Sequence, residues 1–288
     1  MNLVRIDHPD DAQIADYRNV PDPELIARRG LFVAEGRLVV ERLLTSGRWT
    51  PRSLLVTETA LAAVRGAVDQ HPSVRIYLVD QPVMNAITGF NIHRGCLALG
   101  ERRPLPEWRA LAQSARILVV LERLGNADNV GAIFRNSAAF GVDAVLLGPA
   151  CADPLYRKAI RTSMGAALSV PFAHAEPWPA PLAWLRDDGW AVVALTPSAA
   201  ASVREAAPAL NGRRIAVVVG HEGDGLTPAA LDACTHHAHV PMVQGVDSLN
   251  VATAAAVALY EFSEAGREAP PHDRSEDRGE PLHGAPKP

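Results

Sequence analysis

The sequence predicts an α/β protein: a parallel sheet with helices on both faces, preceded by a smaller α/β domain. Two observations carry this. Between residues 116 and 263, apolar runs of strand length alternate with helical stretches, and that alternation implies a parallel sheet covered on both sides. Around residues 101–108 the composition changes: "ERRPLPEW" holds two prolines and four charges. A chain of 288 residues has room for one large domain or two ordinary ones, at roughly 100–200 residues each. The expected division is a small domain over 1–104, a linker over 105–115, a large domain over 116–263 and a disordered tail over 264–288.

In the small domain, "GLFVAEGRLVVERLLTSG" takes helical spacing from Gly36 onward, and Gly47 is a plausible stop. "SLLVTE", "RIYLVD" and "GCLALG" are β-rich; "TALAAVRGAV" and "QPVMNAITG" between them read as helices. In the large domain, "ILVVLE", "DAVLLG", "WAVVALT", "RIAVVVG" and "HAHVPM" are the strand candidates. "NVGAIFRNSAAFG", "DPLYRKAIRTSMGAAL", "PAPLAWLRDDG" and "TPAALDACT" are helical, as is "VDSLNVATAAAVALYEF". The last residues, charged and proline-rich, have almost nothing to bury.

Composition narrows the function classes. The chain is 48% hydrophobic and 21% charged, as in a soluble globular protein. No apolar run reaches the roughly 18 residues of a membrane span, and "MNLVRIDHPDD" lacks the apolar core of a signal peptide. A cytoplasmic location is expected. Three cysteines, with no CxxC pair, support neither a disulfide framework nor a cysteine zinc site. "THHAH" (Thr235–His239) has no acid or cysteine at ligand spacing, so no metal is expected. A net charge of −4 argues against polyanion binding by the whole surface. Arginine makes up nearly all the cations, from a phosphate-binding role or from genome composition.

In an open parallel sheet, ligands collect beyond the carboxyl ends of the strands. Three such ends carry unusual residues. In "LERLGNADNVGAIFRNSAAFG" a strand ends near Glu122, and Asn129 is a candidate N-cap for the next helix. Helical side chains lean toward the N-terminus. Arg135 would therefore lean over Gly131 toward Asn129, or else pair with Asp128, with Val130, Ile133, Phe134 and Ala138 as core face. "VVVGHEGDGLTPAAL" is a strand, a tight loop with Gly220, Gly223 and Gly225, and a helix opened by Pro228. It lacks the spacing of a P-loop and of GxGxxG. "HVPMVQGVDSLNVATAAAVALYEF" is a short strand, a loop and a helix with no polar face behind Asp247, Ser248 and Asn250. Ser248 or Asp247 is its candidate cap.

Taken in order, these stretches resemble the SpoU/TrmH family of RNA ribose 2′-O-methyltransferases, within the SPOUT superfamily. Asn129, Gly131 and Arg135 match the first motif. Gly220, Glu222, Gly223, Gly225 and Leu226 match the second. Pro241, Met242, Ser248, Leu249, Asn250 and Val251 match the third. "RKAIRTSMGA" (Arg157–Ala166) is a fourth, weaker match. The part before residue 105, ending in the strand His93–Gly100, resembles the family's ribosomal-protein-like substrate-binding domain.

The resemblance implies a C-terminal trefoil knot, a homodimer through the methyltransferase domain and S-adenosylmethionine as cofactor. It further implies a structured RNA substrate, 23S rRNA first and tRNA second. Carried over, Leu195, Thr196, Gly220, Glu222, Gly223, Val240, Met242 and Leu249 hold the cofactor. Arg135 is the catalytic arginine, oriented with the ribose by Asn129, Glu222, Ser248 and Asn250. The dimer would leave the alanine-rich helix pressed between sheet and partner. Arg157, Lys158 and Arg161, with Arg135, are the expected RNA contacts. Residues 1–104 hold 13 Arg and 12 acids, so the small domain would read RNA shape rather than act as a basic clamp. The rivals are a non-catalytic RNA-binding protein on the same fold and a base methyltransferase. A dinucleotide oxidoreductase is disfavoured, since no GxGxxG follows the first strand of the large domain.

Overall fold

The two parts of the chain build two sheets. The computed structural model describes residues 2–18, 21–88, 95–243, 245 and 248–263; the expectations for the tail 264–288, for Asp247 and for His93 lie outside them. The small sheet is formed by β1 (Asn2–Arg5), β2 (Leu31–Glu35), β3 (Thr50–Val56), β4 (Arg75–Leu78) and β5 (Cys96–Glu101), in the order β1-β4-β3-β5-β2. β1, β4 and β3 run parallel; β5 is antiparallel to both β3 and β2. Its helices are α1 (Asp22–Arg29), α2 (Arg37–Thr45), α3 (Glu58–Val68) and α4 (Gln81–Thr88). β1, β2 and α1 are absent from the sequence reading.

The large sheet has seven strands, all parallel. They are β6 (Ile117–Leu121), β7 (Ala144–Leu147), β8 (Phe172–His174), β9 (Ala191–Leu195), β10 (Ala201–Ser202), β11 (Ile215–Val219) and β12 (His236–His239), ordered β10-β12-β9-β11-β6-β7-β8. The helices are α5 (Trp108–Ser114), α6 (Ala127–Ala139), α7 (Arg157–Thr162), α8 (Ala180–Asp187), α9 (Val203–Leu210), α10 (Pro228–Ala233) and α11 (Val251–Phe262). Successive strand residues point to opposite faces, and the core divides accordingly. Val119, Leu121, Val217 and Val219 pack with residues of α6, α9 and α11. Leu118, Val120, Ala216 and Val218 pack with residues of α5, α8 and α10. This double coverage is why the strands are continuous apolar runs.

Several local expectations change. The segment 105–115, expected as a linker, contains α5, with Trp108 and Ala112 buried against the large sheet. β8 and β10 are too short to announce themselves. α9 was hidden by Pro208, although Ser202 and Glu205 form a complete capping box. α6 begins at Ala127, with Asn126 as N-cap in place of Asn129. Its core face is Val130, Ile133, Phe134 and Ser137; Ala138 is exposed. The long helix expected over 153–168 shrinks to α7, because Met164 and Gly165 take left-handed backbone at φ 53° and 81°. α11 is capped by Asn250, whose Oδ1 accepts from Ala252 N at 2.9 Å and Thr253 N at 3.3 Å, in place of Ser248. It buries Ala252, Ala255, Ala258, Leu259 and Phe262 and leaves Tyr260 half-exposed. No helix among the described residues is long and apolar enough to cross a membrane.

The two sheets share one apolar cluster. Trp49, after α2, donates its indole N–H to the Leu168 carbonyl at 3.1 Å and lies 6.0 Å from the Phe172 ring. Arg102 pairs with Asp153, and Asp22 accepts the Arg157 N–H at 2.8 Å.

Gly131 is where α7 crosses α6. A Cβ there would stand 2.5 Å from the Ala159 carbonyl oxygen. Alanine favours a helix over glycine by about 1 kcal/mol, but here backbone would have to move. Gly131→Ala is expected to destabilise the fold by about 1–3 kcal/mol, read from the midpoint of urea unfolding at unchanged m.

Candidate active site

The carboxyl ends of β9, β11 and β12 open onto a cavity of about 720 Å³. Its walls are the loops that follow these strands, with the turn into α11. The β9 loop contributes Leu195 and Thr196, and the β11 loop Gly220, Glu222 and Gly223. The β12 loop adds Val240 and Met242, and the entry to α11 adds Ser248, Leu249 and Asn250. Every residue expected to hold a cofactor is thus at one place. The lining also includes His239, weighed in the sequence only as a metal ligand, and Asp224 and His221, which the sequence reading did not single out.

The β11 loop is built by glycine in a specific way. A Cβ on Gly220 would stand 2.5 Å from the Gly225 carbonyl. The loop closes through His221 N to Gly225 O at 3.1 Å and Gly225 N to His221 O at 2.9 Å. His221 Nδ1 then accepts from the backbone N–H groups of Gly223 and Asp224, both at 3.1 Å. Gly220 therefore permits the loop to fold on itself.

Glu122 anchors the far end of that loop. It is fully buried at the end of β6. Its carboxylate accepts from Trp178 Nε1 at 2.6 Å, Thr227 N at 2.8 Å and Thr227 Oγ1 at 2.7 Å. Thr227 is the N-cap of α10. The sequence reading took Glu122 only as a strand end. A lone acid closing an all-apolar strand was the available signal, since a buried charge must be hydrogen-bonded.

Asn129 joins the three motif loops. It is buried in the first turns of α6. Its Nδ2 donates to Glu222 Oε1, and its Oδ1 accepts from Asn250 Nδ2 at 2.9 Å. Amide orientation is normally an assignment from the network; here the network leaves no choice. The α11 N–H groups need an acceptor, so Asn250 presents its oxygen to them and its nitrogen to Asn129. Asn129 must then accept with its oxygen and donate to the carboxylate.

The cations behave less uniformly. Arg135 is exposed, makes no hydrogen bond or ion pair among the described residues, and does not line the cavity. Asp128 pairs instead with Lys158 Nζ at 2.7 Å and Thr162 Oγ1 at 2.9 Å. Those hydrogen bonds, Lys158 first, hold its carboxyl below the usual range. Arg157 is turned into the interface with the small domain, its Nε 3.6 Å from Asp22 Oδ1, and is unavailable for the expected RNA contact. Arg161 is exposed. Ser248 lines the cavity without a hydrogen bond among the described residues.

The cavity contains the carboxylates of Glu222 and Asp224 and, among the described residues, no lysine or arginine. Arg123 pairs with Asp224 at 3.0 Å. Apolar walls with convergent backbone groups and one carboxylate without a cationic partner among the described residues, Glu222, suit a small organic ligand.

Residues 116–260 match the family model of the SpoU rRNA Methylase family. An uncharacterized tRNA/rRNA methyltransferase of Mycobacterium bovis is 42% identical over 268 residues, 91% of this chain and 92% of the relative. The 23S rRNA (guanosine(2553)-2′-O)-methyltransferase RlmP of Bacillus subtilis is 24% identical over 90% of this chain and 98% of its own. An AdoMet-bound rRNA methyltransferase of Sinorhizobium meliloti has the same fold, with TM-score 0.78 and 22% identity over 91% of this chain and 98% of that one. An RNA 2′-O ribose methyltransferase superposes with TM-score 0.71 and 29% identity, over 90% of this chain and 98% of that one.

Two substitutions test the site's architecture. Glu122→Gln puts an amide nitrogen against donors and is expected to cost about 1–3 kcal/mol, measured by urea unfolding. Asn250→Asp keeps a good N-cap but sets acceptor against acceptor at Asn129. It should leave helix content in far-ultraviolet circular dichroism unchanged while lowering stability by about 1 kcal/mol.

Proposed function

The chain belongs to the SpoU rRNA methylase family, and on that premise we propose that it moves a methyl group from S-adenosylmethionine to a ribose 2′-hydroxyl of ribosomal RNA. The observation that carries this reading is the Asn129 bridge. It fastens the Glu222 loop and the start of α11 beside an acidic cavity at the strand ends.

S-adenosylmethionine supplies an electrophilic methyl group on a cationic sulfonium. The residues present fit such a molecule. Leu195, Val240, Leu249 and Leu226 offer apolar contact, and Glu222 offers negative charge. The glycine loop exposes backbone groups at the same wall. Holding acceptor and donor in line supplies proximity, which by itself removes several kcal/mol of barrier, about 7–11 in the best cases.

The acceptor hydroxyl must lose a proton. Arginine is a poor base, because its pKa exceeds about 12. In this proposal the Arg135 guanidinium stabilises the developing 2′-oxyanion and grips the neighbouring phosphate, which relays the proton to water. Asn129, Glu222, Ser248 and Asn250 orient the ribose. The unpaired state of Arg135 supports the assignment, since a free guanidinium on the exposed side of α6 is available to a substrate.

The reading extends to a homodimer. Met242, Val243, Leu249 and Tyr260 are exposed apolar residues beside the cavity and along α11; a second copy would cover them. It also includes a trefoil knot, supported by the return of α11 onto α6, α9 and β11 after β12. Ribosomal RNA is the favoured substrate because RlmP, alike over nearly its whole length, is named for that activity. These partners keep the expected location cytoplasmic.

The test is methyl transfer from labelled S-adenosylmethionine to unmodified rRNA transcripts, with the product mapped by resistance to alkaline cleavage. Base-methylated product or no transfer would sink the reading. Arg135→Ala should lower kcat about 10²–10³-fold, the scale of losing one oxyanion-stabilising donor. Its affinity for S-adenosylmethionine, read by calorimetry, should stay within about twofold.

A further inference from the structure

Arginines that are exposed and whose side chains make no hydrogen bond or ion pair among the described residues occur at several places, Arg28, Arg75, Arg116 and Arg213 among them, and four of them stand on α6, α7 and α2. These four are Arg135, Arg161, Arg42 and Arg37. A path through them begins at Asp128, next to Asn129, which holds Lys158 and Thr162 of α7. Arg161 is on the same short helix, near enough to Asp128 to act on its carboxyl. One turn on, Met164 is 39% exposed in a left-handed backbone conformation, φ 53°. A non-glycine residue rarely adopts that conformation and persists in it only where the surroundings enforce it.

At Gly165 the path crosses between domains. A Cβ on Gly165 would stand 3.1 Å from Arg42 Cδ and 3.4 Å from Val39 Cα. The stem of Arg42 therefore packs at the seam, while its guanidinium stays outside. On the outward side of α2, Arg42 is joined by Arg37, by Leu38 at 51% exposure and by one acid, Glu41. The shared apolar cluster, the Trp49 bond and the Arg102–Asp153 pair hold this face of the small domain against the large one.

We propose that this seam is the substrate track: the RNA strand that delivers the target ribose runs from Arg135 over Arg161 and Met164 onto α2, where Arg42, Leu38 and Arg37 hold it. This rests on the methyltransferase reading above and adds the surface that carries the substrate. Unpaired arginines release counterions when they meet phosphates, which gives affinity without sequence specificity. Exposed Leu38 and Met164, set among arginines, supply apolar contact for unstacked bases or ribose edges. An acidic protein would meet the same cations. RNA is favoured because the track ends beside Asn129, where the substrate must arrive. The small domain then contributes through a few placed arginines, despite its near-neutral total.

The test compares two double variants of the full chain with equal change in charge. One is Arg42→Glu with Arg161→Glu. The control is Arg116→Glu with Arg213→Glu, exposed residues at the amino ends of β6 and β11, the far side of the sheet. The readouts are affinity for unmodified rRNA transcripts across a salt series, methyl transfer to them, and S-adenosylmethionine affinity by calorimetry. At about 0.15 M salt the seam variant should bind RNA at least about tenfold more weakly, with a salt slope flatter by about 1.4, as expected for two lost single-strand phosphate contacts. S-adenosylmethionine affinity should be unchanged, and the control should stay within about twofold of wild type. Leu38→Ser should weaken RNA binding without changing the slope.

If the seam variant loses cofactor affinity as well, the pair Arg42→Gln with Arg161→Gln replaces it, with the flatter slope still required. Seam and control variants that bind RNA alike, while the wild type methylates it, would overturn the track and leave the methyltransferase reading standing. RNA binding that fails only in the seam variant, with no methyl transfer by the wild type, would do the reverse.

Discussion

The site depends on one side chain. Asn129 is the only residue among those described that hydrogen-bonds both the glycine-rich loop and the start of α11. Its amide relays polarity: N–H groups at the start of α11 set the orientation of Asn250, Asn250 sets that of Asn129, and Asn129 presents a donor to Glu222. Each step forces the next because an amide has one end that donates and one that accepts. The positive end of a helix is thereby connected to a carboxylate through two neutral side chains. A loop that contains three glycines within six positions has little intrinsic order, and this chain of bonds supplies it.

The frame around the bridge comes from the parallel sheet. β6 and β11 are neighbours in register, with Leu121 opposite Val219. Glu122 and Gly220 therefore emerge side by side although distant in sequence. Glu122 fastens the return of the β11 loop at Thr227, and Gly220 lets that loop close on itself. The cavity lies to one side of β6, at the carboxyl ends of β11, β9 and β12, which the chain places there after β6 has led outward to β7 and β8.

The small domain is docked by apolar packing as well as by polar contacts. Phe32, Trp49 and Phe172 meet across the boundary with ring separations of 5.5 and 6.0 Å. Arg157 is consumed at this junction, which explains why a residue beside Lys158 and Arg161 does not share their exposure. Docking sets the distance between α2 and the loops that line the cavity.

Much of this was legible in the chain itself. Apolar runs and their spacing are local properties, and they placed β6, β7, β9, β11 and β12 and the loops at their ends. The residues lining the cavity were nameable from the motifs, because each stands next to a strand terminus. Partners were not legible. Asn129 looked like a helix cap and Ser248 like another, since capping is judged from neighbours in sequence; the caps are Asn126 and Asn250. Asn129 meets Glu222 across 93 positions and Asn250 across 121, separations bridged only once the order of strands is settled. Gly131 looked like an open path for Arg135 and is a close contact for α7. Where the loops stand and which polar groups they carry follow from the local order of residues. Which of those groups bond to one another and which stay free follows from the folded chain, because a hydrogen bond is settled by distance and direction in space.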